Sequence, residues 1–270
     1  MPCVSCSFNF YINSGRIIMK YYSIVFSPTG GTEKAAEAII QSWPGVEKID
    51  LSVFGQDYSK IELESGGLAL VAMPSFGGLA PALALERLEQ IRGSGVRCVV
   101  AAVYGDRAYE DTLVQMEDSA EKAGMKVIAG ISAVAEHSIA RNIAAGRPDA
   151  ADIEGLSDFG RKILEKAGSD DMSKPELPGS RPYKKGMSSE MRPKTGASCT
   201  GCGICAQKCP AGAIPADAPR VTDEDKCISC MRCISVCPVG ARSLNSVKLA
   251  VVSGVLKKLC AGEKHPELFI

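Results

Sequence analysis

Within its 270 residues the chain has no apolar run near the roughly 18 residues that a helix needs to cross a bilayer, so no membrane span is expected. The front of the chain has no charged, then apolar, then small-residue leader, which argues against export. Neither charge is in surplus. The 31 Lys and Arg balance 31 Asp and Glu, which argues against a nucleic-acid partner or a polybasic membrane adaptor. No dinucleotide fingerprint is present, so NAD(P)H is not an expected ligand. What remains is an ordinary globular composition, 46% hydrophobic and 23% charged, enough for one or two domains with cores of their own.

The one abundance is cysteine. Eight of the twelve lie between Cys199 and Cys237, a window of 39 residues. A disulfide scaffold would be a small secreted chain with its cysteines spread out. Clustered thiols at two-residue gaps in a chain without a leader are read as metal-holding, and the expected location is the cytoplasm. Charge also divides the chain: residues 20–168 carry 15 Lys and Arg against 21 Asp and Glu, a net of −6, and residues 169–270 carry 15 against 10, a net of +5.

From residue 20 to 168, short apolar runs alternate with helical stretches. The expected strands are Tyr21–Phe26, Val46–Leu51, Gly67–Met73, Arg97–Val103 and Lys126–Ile131; the expected helices are Thr32–Ser42, Pro81–Gly93, Ala108–Ala123 and Asp152–Ala167. Runs without polar alternation, such as Leu68–Met73 and Cys98–Val103, suit strands buried on both faces of a parallel sheet. Five strands alternating with helices predict a doubly wound α/β sandwich, and right-handed crossovers give the strand order 2-1-3-4-5. Residues 169–190, with the proline-rich stretch continuing to 198, read as a linker. A small cysteine-rich domain is expected over 191–245. Over 246–270 a helix and tail follow, with Val247, Val251, Val252, Val255, Leu256 and Leu259 on one face; packing on a domain is preferred to a membrane-surface role. Residues 1–19 form an extension with an isolated Cys3–Cys6 pair, and translation is expected to start at Met19.

Residues 199–245 contain a repeat. CTGCGICAQKCPAGA returns 28 residues later as CISCMRCISVCPVGA, so Cys199, Cys202, Cys205 and Cys209 match Cys227, Cys230, Cys233 and Cys237. Each run is C-x2-C-x2-C-x3-C-P. Three thiolates at successive gaps of three wrap one face of a cuboidal cluster, and the fourth lies beyond reach of the same irons. Structural zinc usually shows two C-x2-C pairs across a longer spacer, which this is not. In two-cluster ferredoxins with this spacing the fourth cysteine ligates the other cluster. One [4Fe–4S] cluster then falls to Cys199, Cys202, Cys205 and Cys237, and a second to Cys227, Cys230, Cys233 and Cys209. The segment resembles bacterial-type two-cluster ferredoxins over its whole length, which implies a small α+β domain.

After the first strand comes Ser27-Pro28-Thr29-Gly30-Gly31-Thr32, then a helix. Glycines let backbone N–H groups converge, the hydroxyls of Ser27, Thr29 and Thr32 add donors, and a helix amino terminus favours an anion. Lacking a Walker lysine, the loop suits a phosphomonoester held by neutral donors; it is similar to the FMN-phosphate loop of flavodoxins. That resemblance implies two further loops at the carboxyl ends of strands three and four, Pro74-Ser75-Phe76-Gly77-Gly78 and Tyr104-Gly105-Asp106 through Tyr109. It assigns Tyr109 and Phe76 to the two faces of the flavin ring, with Arg107 nearby, either stabilising an anionic reduced flavin or pairing with Glu110 or Asp111. Trp43 reads as packing, Cys98 as a buried strand residue and Cys260 as a lone thiol. His137 reads as structural in preference to a proton handler at the flavin edge; Arg141 and Arg147 sit in the same insert, where they could form a docking surface.

The two halves together resemble flavodoxin–ferredoxin fusion proteins of anaerobic bacteria and archaea. The resemblance implies electron transfer between two [4Fe–4S] clusters, FMN and a redox partner protein. The alternatives are an iron-sulfur flavoenzyme that reduces a small molecule such as a quinone, and a ferredoxin with a flavin-free docking domain. An open apolar cavity over the ring would favour the enzyme, a buried ring with an exposed edge the carrier, and an occluded phosphate loop the docking domain.

Overall fold

The computed structural model describes residues 19–169, 171–186, 191–260 and 262–270; the Cys3–Cys6 pair and the alternative start at Met1 lie outside them. The first domain alternates β1 (Tyr21–Val25), α1 (Gly31–Ile39), β2 (Glu47–Asp50), β3 (Leu68–Pro74), α2 (Ala82–Leu88), β4 (Arg97–Tyr104), α3 (Thr112–Lys122), β5 (Lys126–Val134) and α4 (Ala150–Gly168). The five strands are parallel in the order β2-β1-β3-β4-β5, the flavodoxin-like order expected from the alternation.

The strands are apolar on both faces because helices cover both. Ile24, Val71, Met73, Val100 and Ala102 pack with Leu88 of α2 and Leu113 and Met116 of α3. Their neighbours Val25, Leu70, Ala72, Val99 and Ala101 pack with Ile39 of α1 and Leu156 and Ile163 of α4. Trp43 is buried and donates Nε1–H to the Gly160 carbonyl at 3.2 Å, a packing role as expected. Cys98 is fully buried within β4.

The second part contains β6 (Lys194–Thr195), α5 (Ile204–Gln207), α6 (Arg232–Ser235), β7 (Arg242–Ser243), α7 (Ser246–Leu259) and β8 (Glu267–Phe269). β6 pairs with β7, whereas β8 returns to the first domain as a sixth strand, antiparallel to β5. No sequence signal pointed to β8: three residues are too few for a period. The sequence repeat is also a repeat of backbone. Gly201 and Ser229, Gly203 and Met231, and Gly212 and Gly240 all take positive φ between 53° and 74°.

The segment read as a linker lies along α3. Arg181 pairs with Asp118 and Glu117, and the backbone N–H groups of Ser180 and Lys184 donate to the Asp111 carboxylate. The domains also touch directly. Arg87 of α2, 7% exposed, donates to Leu51 O at 2.5 Å and to Pro210 O at 2.6 Å, and lies over the Tyr58 ring. Arg232 of α6 donates to Ser27 O at 3.2 Å. A Cβ on Gly212 would run into the Phe54 ring.

Candidate functional site

The loop after β1 is built to receive an anion. Gly30 takes φ +95°, a conformation that side chains avoid, and turns the chain into α1. Among the described residues no hydrogen bond is donated by the backbone N–H groups of Thr29, Gly30, Gly31 or Thr32, so four consecutive donors stand open at the helix amino terminus. The Ser27 hydroxyl accepts from Glu33 N–H in the first turn of α1 at 2.9 Å, which leaves its own O–H to donate.

The loop after β3 is a tight turn closed by paired backbone bonds between Phe76 and Leu79, with Gly77 and Gly78 at φ 64° and 93°. The turn projects Phe76 into the cavity described below, and Ser75 is anchored by the Thr112 hydroxyl at 2.8 Å. The loop after β4 carries Asp106 and Glu110 at positive φ, a local strain of the kind that collects at binding sites. Gly105 is required there, because a Cβ would sit 2.6 Å from the His137 ring. Lys264, from the segment before β8, grips this loop through the carbonyls of Asp106 and Arg107.

These three loops line one mostly apolar cavity of about 1080 Å³. Thr29, Gly31, Thr32, Pro74, Ser75, Phe76, Gly77, Tyr104 and Gly105 border it, as do Arg107 and His137. Ser27, Gly30, Gly78, Asp106 and Tyr109 do not form its wall. Tyr109 packs edge-on to Tyr104, 5.2 Å between ring centres, and its hydroxyl donates to Glu267 of β8 at 3.2 Å. Burial, with Glu267 beside it, pushes its phenol up to about 12. The missed strand β8 thus redirects the tyrosine that the motif assigned to the ring.

His137 Nδ1 accepts two backbone bonds, from Ile139 and Ala140, each 3.1 Å. That leaves the proton on Nε2. Burial, then the neighbouring Arg107 charge, holds the ring below its ordinary value, so it is a neutral donor of fixed tautomer. Arg107 pairs with Glu110 at 2.7 Å through Nη1, while its Nη2 is buried with no partner. Arg147 is not a docking residue: it is tied to Asp152 and donates to the Lys264 carbonyl. Arg141 is exposed beside Glu136. Four open backbone donors, an unpartnered guanidinium nitrogen and an apolar slot fit a phosphate-bearing flavin.

The opposite wall of the cavity comes from the second part of the chain. Cys227, Ile228 and Ser229 reach it, as do Met191, Arg192 and the α7 side chains Val251, Val252, Val255, Leu256 and Leu259. Leu256 is buried against Ala140 and Ile143, whereas Val251, Val255 and Leu259 remain more than half exposed on the cavity side. Cys260 packs beside Leu256, and burial pushes its thiol up.

Cys199, Cys202, Cys205 and Cys237 enclose a small cavity of their own. Cys209, Cys227 and Cys233 are the charge neighbours of Cys230, whose thiol burial pushes up to about 12. The first of the two sets that the repeat implied thus lines one cavity, and Cys205, Cys209, Cys227 and Cys233 pack together where the two runs meet. Among the described residues no group of three or more His, Cys, Asp or Glu side chains is arranged to hold a single metal ion. Backbone groups are aimed at the sulfurs with the same symmetry: Ala213 N–H donates to Cys209 at 3.3 Å and Ala241 N–H to Cys237 at 3.2 Å. Burial works to raise the Cys237 thiol, but the N–H groups of Ala241, Val239, Arg242 and Gly240 outweigh it and hold it below its ordinary value.

Residues 198–241 match the family model of the 4Fe–4S dicluster domain. No curated protein matches the chain. Among solved structures it is similar to a flavodoxin from the domain Archaea (15% identity over 56% of this chain and 100% of that one, TM-score 0.39). It is also similar to the Fusobacterium nucleatum flavodoxin bound to flavin mononucleotide (17%, 55% and 99%, 0.39) and to the flavodoxin of Streptococcus pneumonia TIGR4 (21%, 54% and 99%, 0.39). At those scores the likenesses carry no argument of their own, and the sheet order remains the ground for the fold. The chain thus joins an iron–sulfur domain of the ferredoxin type to a flavodoxin-like α/β domain, a combination that supports an electron-transfer role. Among the described residues no helix is long and apolar enough to cross a membrane.

Sequence reasoning passed over Arg87, Arg232, Arg242 and Lys264. Each reads locally as a surface charge; contacts distant in sequence bury Arg87 and Arg242 and half-bury Arg232 and Lys264.

Proposed function

We propose that this chain is a cytoplasmic electron-transfer protein that holds two [4Fe–4S] clusters and one FMN, and exchanges electrons with a redox partner protein. Cys199, Cys202, Cys205 and Cys237 hold one cluster; Cys227, Cys230, Cys233 and Cys209 hold the other. Thr29, Gly30, Gly31 and Thr32 take the FMN phosphate, and Phe76, Tyr104 and Gly105 border the ring. When bound, the clusters supply one-electron carriage and the flavin links one- and two-electron chemistry. The chain's own part is to hold these groups against one another, keep water from them and fix His137 as a neutral donor.

One observation carries this reading: the cavity that takes the flavin loops is also bordered by Cys227, Ile228 and Ser229 of the second cysteine run. A carrier that passed electrons only between flavin and solvent would not need a cluster ligand on that wall. The test is to purify the protein without oxygen and measure iron, sulfide and flavin. About eight iron, eight sulfide and one FMN per chain are expected. Rapid mixing with a one-electron reductant should then bleach the iron–sulfur and flavin absorbances in coupled phases. Clusters without flavin, even after FMN is added, would leave a ferredoxin with a docking domain.

A second reading, reduction of a small apolar molecule, is favoured by the open apolar wall that α7 turns to the cavity. The cavity lies at the top of the size range that drug-sized ligands fill. Turnover of a soluble quinone by pre-reduced protein, abolished by Val255→Lys, would select it.

A further inference from the structure

The 28-residue repeat breaks its own symmetry where charge is concerned. Ile204 in the first copy corresponds to Arg232 in the second, and Ile214 to Arg242. Ile214 is 5% exposed and Arg242 3%, so one buried place holds an aliphatic side chain in one copy and a guanidinium in the other.

A buried cation is costly unless something opposite in charge meets it. Arg242 meets no carboxylate among the described residues. Its Nη1 donates to the Thr222 hydroxyl at 2.6 Å, and its Nη2 to Pro219 O at 2.5 Å and Val221 O at 3.4 Å, all uncharged acceptors. No carboxylate among the described residues pairs with it, and its Nε–H is buried with no partner at all. The missing acceptor has a location. Arg242 borders the cavity enclosed by Cys199, Cys202, Cys205 and Cys237. Arg242 also opens β7, which packs against α6, the helix that carries Cys233 of the other set. One uncompensated cation therefore stands at both cysteine sets.

Resting on the two-cluster reading above, we propose that Arg242 is the charge-compensating bridge between the clusters, which lets both be reduced together so that the pair delivers two electrons. Each cluster with its four thiolates is an anion, and each gains one electron without forming or breaking a bond. The first electron raises the negative charge that the second must meet next door, as in any pair of interacting sites. A guanidinium beside both attracts an electron on either, so it raises both potentials against that repulsion, and it cannot be titrated away. Two electrons, drawn singly from a one-electron donor protein, equal the pair a flavin takes up with a proton. At the corresponding position of the first copy the buried side chain is an uncharged isoleucine.

The test is an anaerobic potentiometric titration of the full chain, followed by the iron–sulfur electron paramagnetic resonance signals, with iron counted in each variant. Arg242→Ile gives the second copy the residue of the first. At about eight iron per chain it should lower both cluster potentials, each by at least tenfold in its equilibrium constant, or 59 mV for a one-electron couple. Arg242→Lys keeps the charge and should stay near the wild-type potentials. An iron-replete Arg242→Ile variant with both potentials unchanged, or only one lowered, would overturn the inference, as would a lysine variant that lowers them as far as isoleucine does. If the isoleucine variant loses iron, Arg242→Gln, which keeps donors for Thr222 and Pro219, is read by the same two outcomes. About four iron in the wild-type chain would sink the two-cluster reading and the inference with it. Absence of flavin would remove FMN from the proposed function, while the cluster potentials would still decide the role of Arg242.

Discussion

Replacing Arg87 by methionine would loosen one of the contacts that hold the second domain against the first. The guanidinium makes two charge-assisted hydrogen bonds, to Leu51 O and Pro210 O, and lies 5.7 Å from the Tyr58 ring centre. Bonds from a charged donor contribute about 1.5–3 kcal/mol each and the ring contact about 0.5–2. Against this stands the cost of burying a cation, the same burial that pulls its pKa down. The net loss of fold stability is then about 2–4 kcal/mol. Only the Pro210 bond crosses the interface, so the equilibrium between docked and undocked domains should shift by its 1.5–3 kcal/mol, roughly tenfold to a hundredfold. Amide exchange at residues 209–213 and 51–55 reads that shift directly, and iron and flavin content show that each domain is intact. Arg87→Lys, which cannot fork between two carbonyls, should fall between methionine and wild type. Exchange unchanged in a cofactor-replete methionine variant would refute the idea that Arg87 holds the domains together.

Three further outcomes are expected. Gly30→Ala puts a side chain at φ +95°, which costs about 1–2 kcal/mol, and FMN should bind roughly tenfold more weakly in a fluorescence-quenching titration. His137 sits below its ordinary value of 6.5, so the folded state holds fewer protons than the unfolded one; its contribution is full above that value and is lost as pH falls below it. The melting temperature should therefore drop between pH 7 and 5 more steeply in the wild type than in His137→Gln, and parallel curves would remove His137 as the cause. Lys264→Met frees the strained loop at Asp106 and Arg107, and should weaken FMN binding without changing iron content, as flavin and iron analyses would show.

Much of the α/β half was legible because its signals are local. A strand buried on both faces must read as an unbroken apolar run, as Leu68–Met73 does, and alternation with helices leaves few topologies open. The cysteine spacing was legible for the same reason: a loop that wraps a cluster spans a few residues, and its ligands must recur at fixed short gaps. The phosphate loop announced itself through Gly30, whose positive φ few other residues would accept.

Tertiary structure decided what depends on long loops closing. Strand β8 is too short to show a period, yet by pairing with β5 it carries Glu267 to Tyr109 and draws that ring from the cavity. Helix α7 showed its apolar stripe in the sequence, but not that the stripe would wall the flavin loops. Arg87, Arg232 and Arg242 look like ordinary surface charges one residue at a time. The burial of Arg87 and Arg242 without carboxylates, and the half-burial of Arg232, exist only once distant segments meet. The sequence by itself determined which chemical groups this protein could hold; the fold decided which of them share a wall and which charges lie between them.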